Sequence, residues 1–395
     1  MPNPADIALA KAADGRRLDD NDAYALLGVA PFELDALCEI ASKLRDRRSS
    51  SVLTYSPKVF LPVTNLCRDR CTYCTFRRDP GEDGEWTMRL GEVEDWCRRG
   101  RDLGCVEALM CLGDKPEIAF RGFRDVLAEF GATSTADYVH KSCVVALEAG
   151  MLPHTNAGLL SRDDMAMLRP VNVSMGLMLE NVSPRLRDRG MPHQHAPDKD
   201  PGPRLAMIEE AGELAIPFTT GILVGIGENE AERVASLLAI RATHERHGHI
   251  QEVIVQNFRA KDRTKMAGAP ELTDDDMVRT VAMARMILGS EMNLQAPPNL
   301  SPGAHGRLIG AGINDWGGIS PLTLDYVNPE AAWPAIRNLT ETCKAQGFEL
   351  EPRLPIYPEF VNSRFLDDSM LGLVQNYSIT STPNSSTTSA GAVAS

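Results

Sequence analysis

The sequence predicts an α/β protein, specifically a closed (β/α)8 barrel of the TIM type. From residue 59 onward, short apolar runs of strand length alternate with longer segments whose apolar residues recur at three- and four-residue spacing. Eight such runs are present, which is the number of strands that a closed barrel requires. The predicted strands cover residues 59–63, 108–112, 152–155, 173–179, 218–224, 253–258, 294–296 and 313–319.

The segments between these strands have the apolar spacing of helices that cover a barrel. The four predicted helices span residues 92–103, 203–214, 228–247 and 273–288. A further helical face precedes the barrel, where apolar residues share one side and a proline suits a first turn. These residues are Leu37, Ile40, Ala41, Leu44 and Pro31.

The chain therefore divides into a barrel and its appendages. Residues 1–50 are predicted to form a short helical N-terminal extension, and residues 51–360 the barrel domain. A C-terminal segment, 361–377, follows a proline-rich run that cannot sustain regular helix. Residues 378–395 are largely Ser, Thr, Ala and Gly without apolar period, so we predict a disordered low-complexity tail there.

Composition narrows the class of protein. With 395 residues and 43% hydrophobic content, the chain can bury a large core. A net charge of -13 argues against a surface that binds nucleic acid or an anionic membrane. No apolar stretch approaches the ~20 residues that span a bilayer, and no secretory signal begins the chain. We expect a cytoplasmic protein whose nine cysteines stay reduced.

Three of these cysteines have the spacing of a metal site. Cys67, Cys71 and Cys74 follow the first predicted strand, on the face where barrel enzymes place their active sites. Three thiolates can hold three irons of a [4Fe–4S] cluster and leave the fourth iron open for S-adenosylmethionine. A zinc site is the alternative, but it needs a fourth ligand, and no His or Cys follows Cys74 before Cys97. Buried cysteines without a metal are a further alternative.

The remaining cysteines show no ligand spacing, and we expect most of them to be buried thiols. They are Cys38, Cys97, Cys105, Cys111, Cys143 and Cys343. Arginines bracket the three-cysteine loop in a chain that is otherwise acidic. Their charge would favour reduction of a cluster and neutralise a cofactor carboxylate, or they form a solvated basic face. They are Arg68, Arg70, Arg77 and Arg78.

Several segments in one order resemble the radical S-adenosylmethionine superfamily and, within it, the first subunit of the 7,8-didemethyl-8-hydroxy-5-deazariboflavin (FO) synthases. The likeness covers nearly all of residues 52–360, and in some organisms this subunit is the N-terminal half of a fused enzyme. The segments that carry it are residues 55–67, 71–77, 113–117, 217–228, 255–261, 295–300 and 315–323.

The resemblance implies the ring-closing step of deazaflavin (coenzyme F420 precursor) synthesis. A 5′-deoxyadenosyl radical would take a hydrogen atom from 5-amino-5-(4-hydroxybenzyl)-6-(D-ribitylimino)-5,6-dihydrouracil, which then cyclises to FO with loss of ammonia. It also implies two partners, namely the second FO synthase subunit, which delivers this substrate, and a flavodoxin- or ferredoxin-type reductant.

The resemblance further implies which residues bind S-adenosylmethionine. They are Tyr73, Gly113, Asp114, Glu117, Glu180, Gly225 and Gly227. Each has a structural alternative: a bare turn for the Gly113 segment, a core aromatic for Tyr73, and pairing with Arg185 or Arg187 for Glu180. Asp114 stands where the family's simplest motif has a second glycine, so the group that binds the amine stays open.

Substrate contacts are expected where the sixth predicted strand ends, at Gln256, Asn257 and Arg259. Loop residues near the barrel mouth are weaker candidates, because solvated loop histidines are common. They are His154, Asn156, His193, His195, Asp198 and Lys199.

Two rival functions stay open. The first is a sibling radical enzyme, either the second FO synthase subunit or a futalosine-pathway enzyme of menaquinone synthesis. Such siblings typically have Phe and Ala where this chain has Tyr73 and Thr75. The second is a non-catalytic iron–sulfur electron carrier, which would need a fourth cluster ligand.

Overall fold

The protein is a parallel barrel, described here for residues 3–48 and 51–377 of a computed structural model. The sheet closes because the first strand pairs with both the second and the eighth. The strands are β1 (Val52–Pro62), β2 (Glu107–Cys111), β3 (Leu152–Asn156), β4 (Ser174–Gly176), β5 (Phe218–Val224), β6 (Ile250–Asn257), β7 (Leu294–Gln295) and β8 (Asp315–Ile319). The predicted barrel and its eight strands are therefore confirmed.

A ninth strand, β9 (Glu349–Pro352), was not predicted. It pairs in parallel with the start of β1, which extends beyond the barrel at Val52–Tyr55. Its residues are half-exposed or exposed, and their sequence contains no apolar run from which a strand could be predicted. After β9 the chain crosses the N-terminal end of the barrel, where the carbonyl of Pro355 accepts bonds from Ser174 Oγ at 2.7 Å and Gln251 Nε2 at 3.2 Å. This crossing closes the lower end of the barrel.

Helices cover the barrel from outside, and the four predicted ones are confirmed to within two residues at each end. The described helices are α1 (Pro4–Ala13), α2 (Asp20–Ala25), α3 (Leu34–Asp46), α4 (Leu90–Asp102), α5 (Pro116–Ala119), α6 (Phe123–Glu129), α7 (Thr135–Glu148), α8 (Arg162–Leu168), α9 (Pro201–Glu213), α10 (Glu230–His247), α11 (Asp274–Leu288), α12 (His305–Gly310), α13 (Ile336–Ala345) and α14 (Asp368–Gln375).

The N-terminal residues are helical, as predicted, in α1 to α3. The apolar face of α3 is buried at Leu37, Ala41 and Leu44, and this helix packs on α11. The C-terminal segment contains α14, whose Met370 and Val374 join a second apolar cluster beside the barrel. The tail predicted to be disordered, 378–395, lies outside the described residues. In the described part of the chain, every helix is too short or too polar to cross a bilayer.

One carboxylate ties the start of α10 to the loop after β4. Glu232 accepts hydrogen bonds from Ser183 Oγ at 2.5 Å, Arg185 Nη2 at 2.7 Å and the backbone N–H of Asn229 at 2.8 Å. The hydrogen bond from Arg185, opposed by partial burial and aided by Ser183, lowers the pKa of Glu232 to about 2. The folded state therefore favours the ionised carboxylate.

Glu232→Gln is expected to reduce the free energy of unfolding at pH 7 by about 1 kcal/mol, because it removes the ion pair with Arg185. The loss is no larger because Arg185 is half-exposed and solvent screens the pair. A carboxylate with a lowered pKa stabilises the fold above its unfolded value, near pH 4.5, and this stabilisation is lost as the pH falls toward 2. Urea unfolding at pH 7 and pH 3 measures both effects. A difference between wild type and variant that does not shrink at pH 3 contradicts this assignment.

Candidate active site

A cavity of about 350 Å³ extends inside the barrel from the three-cysteine loop to the crossing at Pro355. Aromatic, cysteine, amide and charged side chains line it, and they come from strands on every side of the barrel. Parallel barrels bring the loops after their strands to one end, which is why residues distant in sequence meet here.

Polar contacts with neighbouring loops fix the cysteine loop in place. Asn65 donates to the carbonyl of Gly84 and accepts from the backbone N–H of Trp86, both at 2.8 Å. The loop after β2 approaches so closely that a Cβ atom at Gly113 would lie 2.0 Å from the carbonyl oxygen of Leu66. Only glycine fits there. This approach lets the backbone N–H of Asp114 donate to Cys67 Sγ at 3.1 Å.

The three thiols suit a cluster better than a single metal ion. Cys67, Cys71 and Cys74 all line the cavity. Among the described residues, their sulfur atoms do not all fall within 4.8 Å of one another. A lone tetrahedral zinc needs its sulfur ligands about 4 Å apart. Burial raises the pKa of the Cys67 thiol to about 12, so metal binding must displace its proton. Three free thiols spaced more widely than the ligands of a single ion are what a cubane with one open iron requires.

The arginines beside this loop mostly pair with protein groups. Arg68 contacts Asp198 at 2.9 Å, Arg70 contacts Asp79 at 2.9 Å, and Arg78 donates to the carbonyl of Thr75 at 2.7 Å. Of the four, only Arg77 lines the cavity, although it too pairs with Asp79. Its Nε is buried without a hydrogen-bond partner in the described part of the structure. Arg77 is therefore the one of the four best placed to meet a bound anion.

The two acids of the segment after β2 have different positions. Asp114 lines the cavity, and its Oδ2 accepts from the backbone N–H of Leu159 at 3.1 Å. Its Oδ1 is buried without a hydrogen-bond partner among the described residues. Burial raises the pKa of the Asp114 carboxyl group to about 7. Glu117 instead accepts from Thr135 N at 3.1 Å and Thr135 Oγ1 at 2.5 Å, at the start of α7. Only Asp114 is available to a cofactor.

Tyr73 and Glu180 both line the cavity. The Tyr73 hydroxyl contacts His193 Nε2 at 2.9 Å, and the two rings meet edge to face. Glu180 pairs with Lys199 at 2.6 Å rather than with Arg185 or Arg187, which was the structural alternative. Glu180 also has a positive φ of 64°, a left-handed backbone conformation that residues other than glycine rarely adopt.

The glycine segment after β5 does not line the cavity. Gly225 has a φ of 94° and Gly227 a φ of 113°, so both turns require glycine. The carboxylate of Glu228 occupies this turn, accepting from the N–H of Gly225 at 2.8 Å and of Ile226 at 2.9 Å. Gly225 and Gly227 therefore lie outside the cavity lining, and a close approach of their backbone to adenine stays a prediction.

Of the three residues expected at the end of β6, only Gln256 lines the cavity. Asn257 points away and donates to the carbonyl of Leu300 at 3.0 Å, while Arg259 pairs with Glu271 at 2.9 Å outside it. Among the loop candidates, His154, Asn156 and Lys199 line the cavity. The other loop candidates, His193, His195 and Asp198, do not line it directly.

Sequence reasoning missed charged residues in the lower half of the cavity. Lys58, Glu107 and Glu252 lie in strands, and Arg353 follows β9. For the first three, a signal was available in the sequence. A charged residue at a strand position that alternates toward the barrel interior indicates a polar cavity. Arg353 had no such signal, because it lies in the proline-rich run whose partner strands are remote in sequence.

Residues 61–240 match the Radical SAM superfamily. An archaeal protein from Methanopyrus kandleri, the 7,8-didemethyl-8-hydroxy-5-deazariboflavin synthase, is 46% identical over 328 residues, which are 83% of this chain and 98% of that protein. The chain belongs to this synthase family. FO synthases from Mycobacterium tuberculosis (H37Rv) and Streptomyces coelicolor are 47% and 48% identical over 90% of the chain. The chain spans less than half of their length, 44% and 42% respectively.

Solved structures support the fold of this synthase family member. The [FeFe]-hydrogenase maturase HydG shares 17% identity, with a TM-score of 0.75 over 94% of this chain and 80% of that one. Methylornithine synthase (PylB) shares 18% identity, with a TM-score of 0.67 over 88% of this chain and 97% of that one. At such identities the likeness concerns the barrel alone. Family membership implies a [4Fe–4S] cluster and S-adenosylmethionine, which the geometry of the three thiols fits.

Proposed function

We propose that this chain catalyses the ring closure that forms FO from the hydroxybenzyl adduct of ribityl-aminouracil, with loss of ammonia. The observation that carries the proposal is that three thiols and one unpartnered carboxylate oxygen face the same cavity. The Methanopyrus kandleri relative, whose name states this product, extends over almost the whole barrel. We further propose a cytoplasmic location, where a reducing environment keeps the ligating thiols free.

Two partners belong to the proposal. The fused FO synthases are more than twice as long as this chain's matched region, so a second subunit or domain would supply the adduct. A flavodoxin- or ferredoxin-type protein would supply the electron. When bound, the cluster and S-adenosylmethionine supply the radical that takes a hydrogen atom from the substrate.

The chain's own residues would hold and orient the reactants. Cys67, Cys71 and Cys74 would ligate three irons, and Asp114 Oδ1 would accept a hydrogen bond from the methionine ammonium. Glu180, held by Lys199, would accept a hydrogen bond from the ribose or the amino-acid part of S-adenosylmethionine. The stacked rings of Phe60 and Trp333 in the cavity wall would help to exclude water and so protect a reactive intermediate from side reactions.

The activity is tested by mixing the anaerobically reconstituted, reduced protein with S-adenosylmethionine and the chemically prepared adduct. We expect a fluorescent deazaflavin together with 5′-deoxyadenosine. If 5′-deoxyadenosine formed from S-adenosylmethionine only when tyrosine or a futalosine was supplied, and no fluorescent product appeared, the chain would be a sibling enzyme that acts on a different substrate.

Asp114→Asn is expected to weaken binding of S-adenosylmethionine about 10-fold or more, because a charge-assisted bond to an ammonium contributes about 1.5–3 kcal/mol. Glu117→Gln is the matched control, since this acid lies in the same segment but binds Thr135 at the start of α7. Isothermal titration of the unreduced holoprotein with S-adenosylmethionine compares the two. Equal weakening by both substitutions would contradict the role given to Asp114.

A further inference from the structure

The lower half of the cavity contains two kinds of polar group. Arg353 donates from Nη2 to Glu252 at 2.8 Å and from Nε to Asp315 at 2.6 Å, and Tyr357 OH donates to Glu252 at 3.1 Å. These groups satisfy one another and form the floor that the chain crossing builds. Lys58 and His154, which lie above this floor, do not satisfy all their hydrogen-bonding capacity with the residues that the structure describes.

Lys58 has donors to spare. Its Nζ donates one bond to Glu107 at 2.8 Å, while an ammonium has three N–H groups. In the part of the chain that the structure describes, the other two have no hydrogen-bond partner. The Lys58 side chain packs directly against the backbone of Gly318 on β8, in the space that a side chain there would fill. A Cβ atom at Gly318 would lie 1.7 Å from Lys58 Cε. Lys58 therefore presents fixed donors to the cavity.

His154 presents an acceptor. Ser174 Oγ donates its one hydrogen to the carbonyl of Pro355 at 2.7 Å, so the 2.6 Å contact with His154 must be donated by His154 Nδ1. The neutral ring then carries no proton on Nε2, which has no hydrogen-bond partner among the described residues. Burial lowers the pKa of His154 to about 4, which keeps the ring neutral at pH 7. Lys58 and Glu107 lie close enough to influence that pKa.

An aromatic wall adjoins these groups, because Lys58 Nζ lies 5.8 Å from the centroid of the Phe60 ring. Phe60 and Trp333 both line the cavity, and their rings stack with centroids 5.4 Å apart. Between Lys58 and Pro62, the last residue of β1, the strand rises about 13 Å. A ligand that contacts both the lower polar groups and the reacting end must therefore be elongated, with an aromatic middle or end and a polar far end.

We propose that Lys58 and His154 bind the ribityl-pyrimidinedione half of the substrate, donating to a ring carbonyl and accepting from the adjoining N–H. A cationic donor and a neutral acceptor that line the same cavity complement the C=O and N–H groups of a pyrimidinedione. The Phe60–Trp333 wall receives the hydroxyphenyl ring. This inference rests on the proposed function for the identity of the substrate, and it moves the polar contacts from Asn257 and Arg259 to the lower end of the barrel.

Two variants test the proposal. In the first, Lys58→Met is combined with Glu107→Gln, so that no buried carboxylate loses its partner. In the second, His154→Leu leaves Ser174 donating to Pro355, so no buried donor is orphaned. Lys11→Met with Asp22→Asn is the control, because it removes a similar pair at 2.6 Å in the N-terminal helices. Iron content and thermal unfolding verify that each variant is folded.

The probes are 5-amino-6-(D-ribitylamino)uracil, which is the polar half alone, and 4-methylphenol, which is the phenol half alone. Calorimetric titration of the unreduced holoprotein should show the Kd of the polar half raised about 10-fold or more in both test variants, with the Kd of 4-methylphenol unchanged. The control variant should bind both probes like wild type.

Unchanged affinity for the polar half in either test variant overturns the inference, even if wild type makes FO. If the double variant loses its fold, the result for His154→Leu decides the matter alone. Wild-type protein that binds the polar half with the expected losses but yields no fluorescent deazaflavin overturns the proposed function and supports the binding site. The two failures are therefore distinguishable.

Discussion

Replacing Cys67, Cys71 or Cys74 by Ala is expected to abolish both cluster assembly and product formation. Each thiol would ligate one iron, and a cubane held by two cysteines lacks the third anchor that fixes its open iron toward the cavity. Iron and sulfide analysis of the reconstituted protein, together with the fluorescence assay for FO, measures both effects. We expect iron content near background and at least about 100-fold less product for each variant.

Two other cysteines serve as controls for this experiment. Cys38→Ala, in α3, should keep near-normal iron content and activity, because this half-buried thiol lies on the N-terminal helices. Cys111→Ala is a closer control for iron content, since Cys111 lines the same cavity without belonging to the loop. A cluster that survives any one of the three loop substitutions, or is lost in either control, would show that the ligands are assigned wrongly.

Arg353→Met is expected to lower the free energy of unfolding by about 3–5 kcal/mol, because it leaves two buried carboxylates without their cation. Arg353 is 9% exposed, Glu252 6% and Asp315 0%. Burial raises the pKa of Glu252 to about 7 even with Arg353 in place, so Glu252 would take up a proton in the variant. Chemical denaturation at pH 7 measures the loss.

The matched control for this prediction is Arg337→Met, an 86% exposed arginine that pairs with Glu341 one turn along α13. It should cost less than about 0.5 kcal/mol. Adding Glu252→Gln and Asp315→Asn to Arg353→Met should recover part of the stability, since neither amide carries a charge. A loss below about 1 kcal/mol for Arg353→Met, or no recovery in the triple variant, would contradict a floor built on this ion pair.

Most of the barrel could be predicted because parallel strands buried on both faces are rich in apolar residues. The run at Phe218–Val224, buried throughout and mostly apolar, is an example. Strand β9 could not be found in this way, because its pairing depends on a partner almost 300 residues earlier and its side chains stay partly exposed. The short helices α5 and α8 were also missed, since one or two turns carry too little apolar period to distinguish them from loops.

The site could be predicted where sequence spacing alone identifies the ligands, as it does for Cys67, Cys71 and Cys74. It was less predictable where a residue's role depends on the direction in which its side chain points. Strand alternation prevents Gln256 and Asn257 from facing the same side, so only one of them could line the cavity. Glu117 and Asp114 are both acids after β2, yet the start of α7 takes Glu117 as a hydrogen-bond acceptor. Such choices depend on tertiary packing, which no local pattern encodes.

The open iron is tested most directly by electron paramagnetic resonance of the reduced, anaerobically reconstituted protein before and after S-adenosylmethionine is added. Three ligating thiols predict a [4Fe–4S]⁺ signal that changes when S-adenosylmethionine binds, with hyperfine coupling to the cofactor's ¹⁷O-labelled carboxylate. A cluster spectrum that does not change when S-adenosylmethionine is added, or protein that assembles no cubane at all, would contradict a cluster with one open iron held by these three cysteines.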